Sequence, residues 1–182
     1  MTDSGPGSAI VSPARPAPLL VTADLPPDIF VWADGLRRAH FPPERNRLKA
    51  HVTLFHALPP SVDEELRGLL ADLAAATRPP EARISGLMKL GRGTALAIDS
   101  PGMVAMHSLL QDRLHGLMTP QDAQPLRLHI TIQNKVTPEE ARALQSRLGP
   151  ELEQRSFRFR GFELFAYEDG LWRPLKSFAF RG

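Results

Sequence analysis

One tetrapeptide pattern occurs twice in the chain, as His51-Val52-Thr53-Leu54 and as His129-Ile130-Thr131-Ile132. Each copy has a threonine two residues after a histidine, with an apolar residue after each of them. The chain has 6 histidines in 182 residues, and two matched copies would arise by chance with a probability of roughly one in a thousand. The repeated pattern is therefore the feature from which fold and chemistry are best predicted.

Both copies have the composition of β-strands, in which side chains two residues apart lie on the same face. Each strand then presents a basic residue, an imidazole and a hydroxyl on one face and an apolar row on the other. No carboxylate belongs to either polar face. The residues predicted to share the polar faces are Lys49, His51 and Thr53 in the first copy, and Arg127, His129 and Thr131 in the second.

The segments around the two copies repeat one order of elements: strand, turn, helix, loop, strand, helix and strand. Asp24 precedes His51 by 27 residues, and Asp99 precedes His129 by 30. Such a repeat predicts two similar lobes that face each other across a cleft. The main predicted elements are strands over 19–23, 48–58, 94–98 and 126–136, a helix over 28–39, and two strands within 157–180 joined near 168–170.

Two helix starts are predicted from capping boxes, in which a hydroxyl and a Glu three residues later bond each other's backbone. One is Ser61-x-x-Glu64, and the other is Thr137-Pro138-x-Glu140. Residues 1–18 are rich in Gly, Ser and Pro and are predicted to form a flexible tail, so that 19–182 make a single domain of two lobes.

Composition excludes several classes of protein. The chain has no cysteine, which removes disulfides, thiolate nucleophiles and cysteine-bound metals, and no apolar run reaches the roughly 18–20 residues of a membrane span. The net charge of +2 permits an anionic ligand but does not indicate a large nucleic-acid surface. The sequence shows no signal peptide, so we expect a cytoplasmic protein, with a monomer as the default state.

The polar faces suit the chemistry of a phosphate diester. Cations and hydroxyls bind the non-bridging oxygens through charge-assisted hydrogen bonds. Two imidazoles can act as general acid and general base at neutral pH. A metal site is the main alternative for paired histidines, but His51 and His129 have no third ligand on their faces. We expect neither a metal nor another cofactor.

The paired His-x-Thr motifs resemble those of the 2H phosphoesterase superfamily, in particular its 2′-5′ RNA ligase-like branch of RNA 2′,3′-cyclic phosphodiesterases. The resemblance extends over about 19–180. It implies an α+β fold of two pseudo-symmetric lobes, each with an antiparallel sheet flanked by helices, and a catalytic groove between the sheets. It also implies that His51 and His129 are catalytic, as acid and base respectively, and that Thr53 and Thr131 bind phosphate.

The activity implied is metal-independent hydrolysis of 2′,3′-cyclic phosphate ends of RNA or nucleotides to a 2′-phosphate, with 2′-5′ ligation as the reverse reaction. One alternative is the same chemistry on another small cyclic diester, such as ADP-ribose 1″,2″-cyclic phosphate. The other alternative is a non-catalytic module that binds RNA ends or nucleotides. After the motifs, Gln133-Asn134-Lys135 and Phe55-His56 depart from the continuations common in the family, which leaves the substrate open.

Further candidates come from strand alternation alone, not from the resemblance. Lys49, Arg127 and Lys135 are predicted to contact substrate. Phe55 is predicted to share the face of His51 and to stack on a base. His56 follows His51 by an odd offset of five, so it is predicted to lie on the opposite face and to be structural.

Overall fold

The computed structural model describes residues 17–182. The predicted tail over 1–18 therefore lies outside the described residues except at its last two positions. The carbonyl of Pro18 accepts a hydrogen bond from the amide of Tyr167 at 2.8 Å. Residue 18 thus already belongs to the folded part of the chain.

Eight strands and four α-helices make up the described fold. The strands are β1 (Leu19–Asp24), β2 (Val52–Leu58), β3 (Glu81–Lys89), β4 (Thr94–Asp99), β5 (His129–Gln133), β6 (Ser156–Arg158), β7 (Gly161–Glu168) and β8 (Leu171–Ala179). The helices are α1 (Pro27–His40), α2 (Asp63–Ala76), α3 (Pro101–Arg113) and α4 (Pro138–Leu148).

The strands form two antiparallel four-stranded sheets, with the orders β2-β1-β7-β8 and β5-β4-β3-β6. The helices flank them: α2 packs against β7 and β8, α3 against β3, and α4 against β3 and β4. The predicted α+β fold of two sheets flanked by helices is confirmed.

The two repeats exchange their third strands. The first repeat is β1-α1-β2-α2-β3, but β3 pairs with β4 of the second repeat. The second repeat returns β7 to the first sheet, beside β1. Each sheet therefore contains strands of both repeats, and the buried apolar residues form one continuous core. This exchange fixes the two lobes against each other.

The predicted strands around the motifs are longer than the observed ones. Strand β2 begins at Val52 rather than at residue 48, and β5 runs over His129–Gln133 rather than 126–136. The backbone just before each histidine bonds to that histidine's imidazole, and the loop before His51 also bonds to α1, as described below. The predicted turn near 168–170 is confirmed: Asp169 and Gly170 have φ of 51° and 82°, as a two-residue type I′ hairpin turn requires.

One capping box is confirmed and one is wrong. In α4, Thr137 Oγ1 accepts from the amide of Glu140 at 3.2 Å, and the Glu140 carboxylate accepts from the amide of Thr137 at 2.8 Å. Ser61 instead lies inside a 3₁₀ turn over Pro60–Val62, and α2 begins two residues later with no side-chain cap. None of the helices within residues 17–182 is long and apolar enough to cross a membrane.

Candidate active site

The two His-x-Thr motifs meet where the sheets meet. β2 and β5 are each an edge strand of their sheet, and the two strands lie next to each other. His51 immediately precedes β2, whereas His129 is the first residue of β5. Both histidines and both motif threonines are half-buried. The strand topology thus brings the two copies to one groove.

Both imidazoles are held in the same way. Nδ1 of His51 lies 2.7 Å from the carbonyl oxygen of Lys49, and Nδ1 of His129 lies 2.7 Å from that of Arg127. A carbonyl accepts only, so each Nδ1 carries a proton and donates it. In the neutral imidazole the lone pair is then on Nε2. Each histidine can therefore exchange a proton through its outer nitrogen.

Helix α1 positions both motifs, a feature that the sequence patterns did not indicate. The guanidinium of Arg37 is buried and donates to the carbonyls of Leu48 at 2.9 Å and Thr131 at 2.8 Å. Asp34, one turn earlier, accepts from the amide of Ala50 at 2.9 Å. The loop before His51 and the centre of β5 are thereby tied to one helix.

A β-bulge follows the first motif. Thr53 lies opposite Thr22 of β1, but Phe55, two residues further on, lies opposite Val21. Leu54 is therefore an extra residue in β2. A bulge reverses the alternation of side chains beyond it. The faces predicted by counting residues from His51 are therefore correct only up to Thr53.

A matching bulge follows the second motif. Thr131 lies opposite Ala95 of β4, but Gln133 lies opposite Thr94. Ile132 is therefore the extra residue, at the position equivalent to Leu54. The two copies share this bulge as well as their motif, although nothing in the alternation pattern predicts it.

The bulge in β2 corrects two predictions. Phe55 does not face the groove: its side chain is fully buried and stacks on His107, with ring centroids 4.6 Å apart. It cannot stack on a base. His56, the next residue, consequently lies on the face of Thr53 rather than on the opposite face, and 41% of its side chain is exposed.

The aromatic residue beside the candidate catalytic pair is Trp172. Its ring lies against His51, with centroids 4.4 Å apart, and against Phe165 at 5.7 Å. The hairpin of β7 and β8 carries Trp172, and its turn at Gly170 lies close to the guanidinium of Arg47 in the loop before β2. Trp172 therefore takes the place that sequence reasoning assigned to Phe55.

The pKa of His51 is lowered to about 4, mainly by burial of its side chain. The hydrogen bond to the Lys49 carbonyl raises this pKa but only partly offsets the effect of burial. The charges of Arg37, His129 and His56 lower it further. In the free protein the His51 imidazole is thus neutral at pH 7 and able to accept a proton.

A neighbouring strand adds a carboxylate beside the motif face. Glu163 of β7 and Thr53 of β2 lie on either side of Thr22, whose hydroxyl donates to Glu163 Oε2 at 3.4 Å. Burial, together with the nearby charge of Asp24, raises the pKa of Glu163. Thr22, Glu163 and His51 line a cavity of about 260 Å³.

The three basic candidates are placed differently. Arg127 is exposed and lines a wide depression of about 1330 Å³ together with Ala97, the β4 residue opposite His129. Lys49 instead lines a shallow depression of about 370 Å³ with residues of α1. Lys135 lies in a turn beyond β5, with φ of 59°. All three lie outside β2 and β5, so strand alternation does not extend to them.

The family is decided by comparison with known proteins. The model of the 2′-5′ RNA ligase superfamily matches residues 25–171. The chain belongs to this superfamily. The matched range contains both His-x-Thr motifs, which agrees with the superfamily assignment.

Solved structures show that the superfamily fold covers nearly the whole chain. The protein TT0787 of Thermus thermophilus has a TM-score of 0.65 at 18% identity, over 91% of this chain and 98% of that one. Escherichia coli LigT complexed with 3′-AMP has a TM-score of 0.55 at 23% identity, over 92% and 99%. No curated protein matches the sequence significantly. The fold is that of LigT-like 2H phosphoesterases.

This member of the superfamily has no cluster of three or more His, Cys, Asp or Glu side chains placed to hold a metal ion, as far as residues 17–182 are concerned. What the groove does contain is two imidazoles with free Nε2 atoms, two threonines and an aromatic ring. Such a set can bind an anion and move protons on and off it.

Proposed function

We propose that the chain is a phosphodiesterase that opens 2′,3′-cyclic phosphates at the ends of RNA or on nucleotides and leaves a 2′-phosphate. The observation that carries this proposal is the pair of imidazoles on adjacent edge strands, each with Nδ1 bonded to a carbonyl 2.7 Å away and Nε2 free. The superfamily assignment supports an enzyme of phosphoesterase or ligase type.

The proposed reaction is an in-line displacement at phosphorus. The hydroxyls of Thr53 and Thr131 donate to the non-bridging oxygens. Water attacks phosphorus and gives a proton to one imidazole, while the bond from phosphorus to the ribose 3′-oxygen breaks and that oxygen takes a proton from the other imidazole. Each proton transfer contributes roughly 10²–10⁴-fold in rate. With a 5′-hydroxyl in place of water, the same step makes a 2′-5′ linkage.

We assign the base to His51 and the acid to His129. The reason is the pKa of His51, which is lowered to about 4 and keeps this imidazole neutral in the free protein. This assignment reverses the one that family resemblance implies. The two roles exchange when the reaction runs backwards, so both histidines are needed in either direction.

Two observations favour a nucleotide substrate. Trp172 presents an aromatic ring beside His51, and base stacking on such a ring is a common mode of RNA recognition. E. coli LigT, a structural neighbour, is seen with 3′-AMP and with NADP⁺. Location in the cytoplasm and a monomeric state stay predictions from the sequence.

The test is turnover of adenosine 2′,3′-cyclic phosphate with EDTA present, followed by phosphorus NMR of the product. We expect turnover that chelation does not reduce, and adenosine 2′-phosphate as the product. Adenosine 3′-phosphate would overturn the assignment of the leaving oxygen. A panel containing ADP-ribose 1″,2″-cyclic phosphate separates the substrate classes, and binding of every ligand without turnover of any would favour the non-catalytic alternative.

A further inference from the structure

The irregular part of β2 is held by two buried polar side chains from the second half of the chain. Asp122 accepts from the amides of His56 and Ala57, at 2.8 and 2.9 Å. His107 donates from Nε2 to the carbonyl of Leu54 at 3.1 Å. A bulge removes backbone groups from the sheet's hydrogen bonding. His107 bonds the carbonyl at the Leu54 bulge, and Asp122 bonds the two amides at a second register shift, between Phe55 and Leu58. The orientation of His56 is therefore built into the fold.

Asp122 also holds the imidazole of His56. Its Oδ1 atom lies 2.9 Å from Nδ1 of His56, and its side chain is 0% exposed. Burial alone would raise the pKa of Asp122, but the hydrogen bonds from the His56 ring and from the two amides hold it below its usual value. The carboxylate is therefore ionised and accepts a hydrogen bond from Nδ1, which leaves Nε2 as the remaining ring nitrogen.

His56 belongs to the electrostatic environment of the groove. It lies on the face of Thr53, three residues further along β2, and its charge contributes to the low pKa of His51. Three residues of a bulged strand span roughly 7–10 Å, comparable with one sugar-phosphate repeat of an extended nucleotide chain. A ligand bound at Thr53 thus reaches His56 with its next group.

We propose that His56 binds a second phosphate group of the substrate, adjacent to the one that reacts between His51 and His129. This proposal rests on the proposed function and narrows the substrate to a nucleotide or RNA end with at least two phosphates. With Asp122 bonded to Nδ1, Nε2 of His56 is the ring atom that bonds this phosphate. Charge-assisted hydrogen bonds of this kind are about twice as strong as neutral ones.

The second repeat shows that the bulge alone does not require a histidine. Asn134 is the equivalent of His56 beyond the bulge of β5, and its side chain accepts from the amide of Lys135 at 2.7 Å. Asp122 likewise satisfies the amides of His56 and Ala57 without help from the imidazole. We therefore expect the second phosphate to bind beside β2 and not beside β5. This fixes the orientation of the substrate in the groove.

The test compares equilibrium binding of adenosine 2′,5′-bisphosphate and adenosine 2′-monophosphate by calorimetry, which needs no turnover. We expect the wild type to bind the bisphosphate at least about tenfold more tightly. His56→Asn keeps an amide donor toward Asp122 but lacks the Nε2 position, and it should reduce this ratio to about twofold or less. His115→Asn, an exposed histidine after α3, should leave the ratio unchanged.

His56→Gln places an uncharged amide near the Nε2 position and serves as a second variant if His56→Asn does not fold. An intermediate ratio is expected for it. A wild type without preference for the bisphosphate, or variants that retain the full preference, would overturn the proposal. Failure of the proposed function appears separately, as an absence of turnover that leaves the binding ratio untouched.

Discussion

His51 and His129 donate the same hydrogen bond, from Nδ1 to the carbonyl two residues earlier, at 2.7 Å in both cases. The equivalence follows from the repeat, because each histidine stands at the start of the edge strand of its sheet. Their surroundings differ, however. Trp172 lies against His51, and this asymmetry is the basis of the separate roles that we propose for the two imidazoles.

The pH dependence of kcat/KM tests the state of His51. A base must be neutral, so activity should rise with pH through the pKa of His51, at about 4, and not through the usual value near 6.5. Trp172→Ala should hydrate the ring and move this acidic limb upward by about one unit or more. An acidic limb near 6.5 in the wild type would contradict the assignment.

A substrate with an activated leaving group separates acid from base. A 4-nitrophenyl phosphodiester of a nucleoside needs no proton on its leaving oxygen. We expect His129→Ala to recover at least about tenfold of its lost rate on this substrate, relative to the cyclic phosphate, whereas His51→Ala recovers little. Recovery by His51→Ala alone would instead make His51 the acid.

Arg37 should be required for stability as well as for activity. Arg37→Met removes the hydrogen bonds to Leu48 and Thr131 and leaves their carbonyls unsatisfied, so we expect a loss of about 2–4 kcal/mol in the free energy of unfolding. We also expect kcat to fall, because both motifs lose their common support. Arg38→Met, at the exposed neighbouring position, is the control and should change stability by less than about 0.5 kcal/mol.

Trp172 should contribute to substrate binding. Trp172→Ala is expected to raise KM for cyclic nucleotides by at least about fivefold, in line with about 1–3 kcal/mol for a base stacked on an aromatic ring. Leu171→Ala, at the exposed position beside it, is the matched control. Equal KM values for the wild type and Trp172→Ala would show that the base binds elsewhere.

The two predicted capping boxes give a paired test of stability. Thr137→Ala should cost about 1 kcal/mol, because its hydroxyl accepts from the amide of Glu140. Ser61→Ala should cost almost nothing, since Ser61 caps no helix. Denaturant unfolding measures both, and a comparable loss in the two variants would contradict the difference seen between these helix starts.

Local patterns predicted much of this fold. The strands that carry the motifs, helix α1 and the hairpin turn at Asp169-Gly170 depend on residues close together in sequence. The bulges do not: Leu54 and His56 are held by His107 and Asp122, which lie 53 and 66 residues away. The extra residue at Leu54 was enough to reverse the faces predicted for Phe55 and His56.

The exchange of third strands and the position of Trp172 also depend on long-range pairing. Trp172 reaches His51 because β7 returns to the first sheet and pairs with β8, which carries Trp172. The residue pattern of a single strand does not indicate which strand it will pair with. The paired motif did predict that the two motif strands come together, and the structure shows that they do so as edge strands of their sheets.

The most direct test of the central claim is the rate of hydrolysis of adenosine 2′,3′-cyclic phosphate by the wild type, His51→Ala and His129→Ala, each shown to be folded. The account predicts that either substitution lowers kcat by at least about 10²-fold, while His115→Ala retains full activity. Wild-type activity in either His51→Ala or His129→Ala would contradict the two-histidine mechanism and place the reaction at another site.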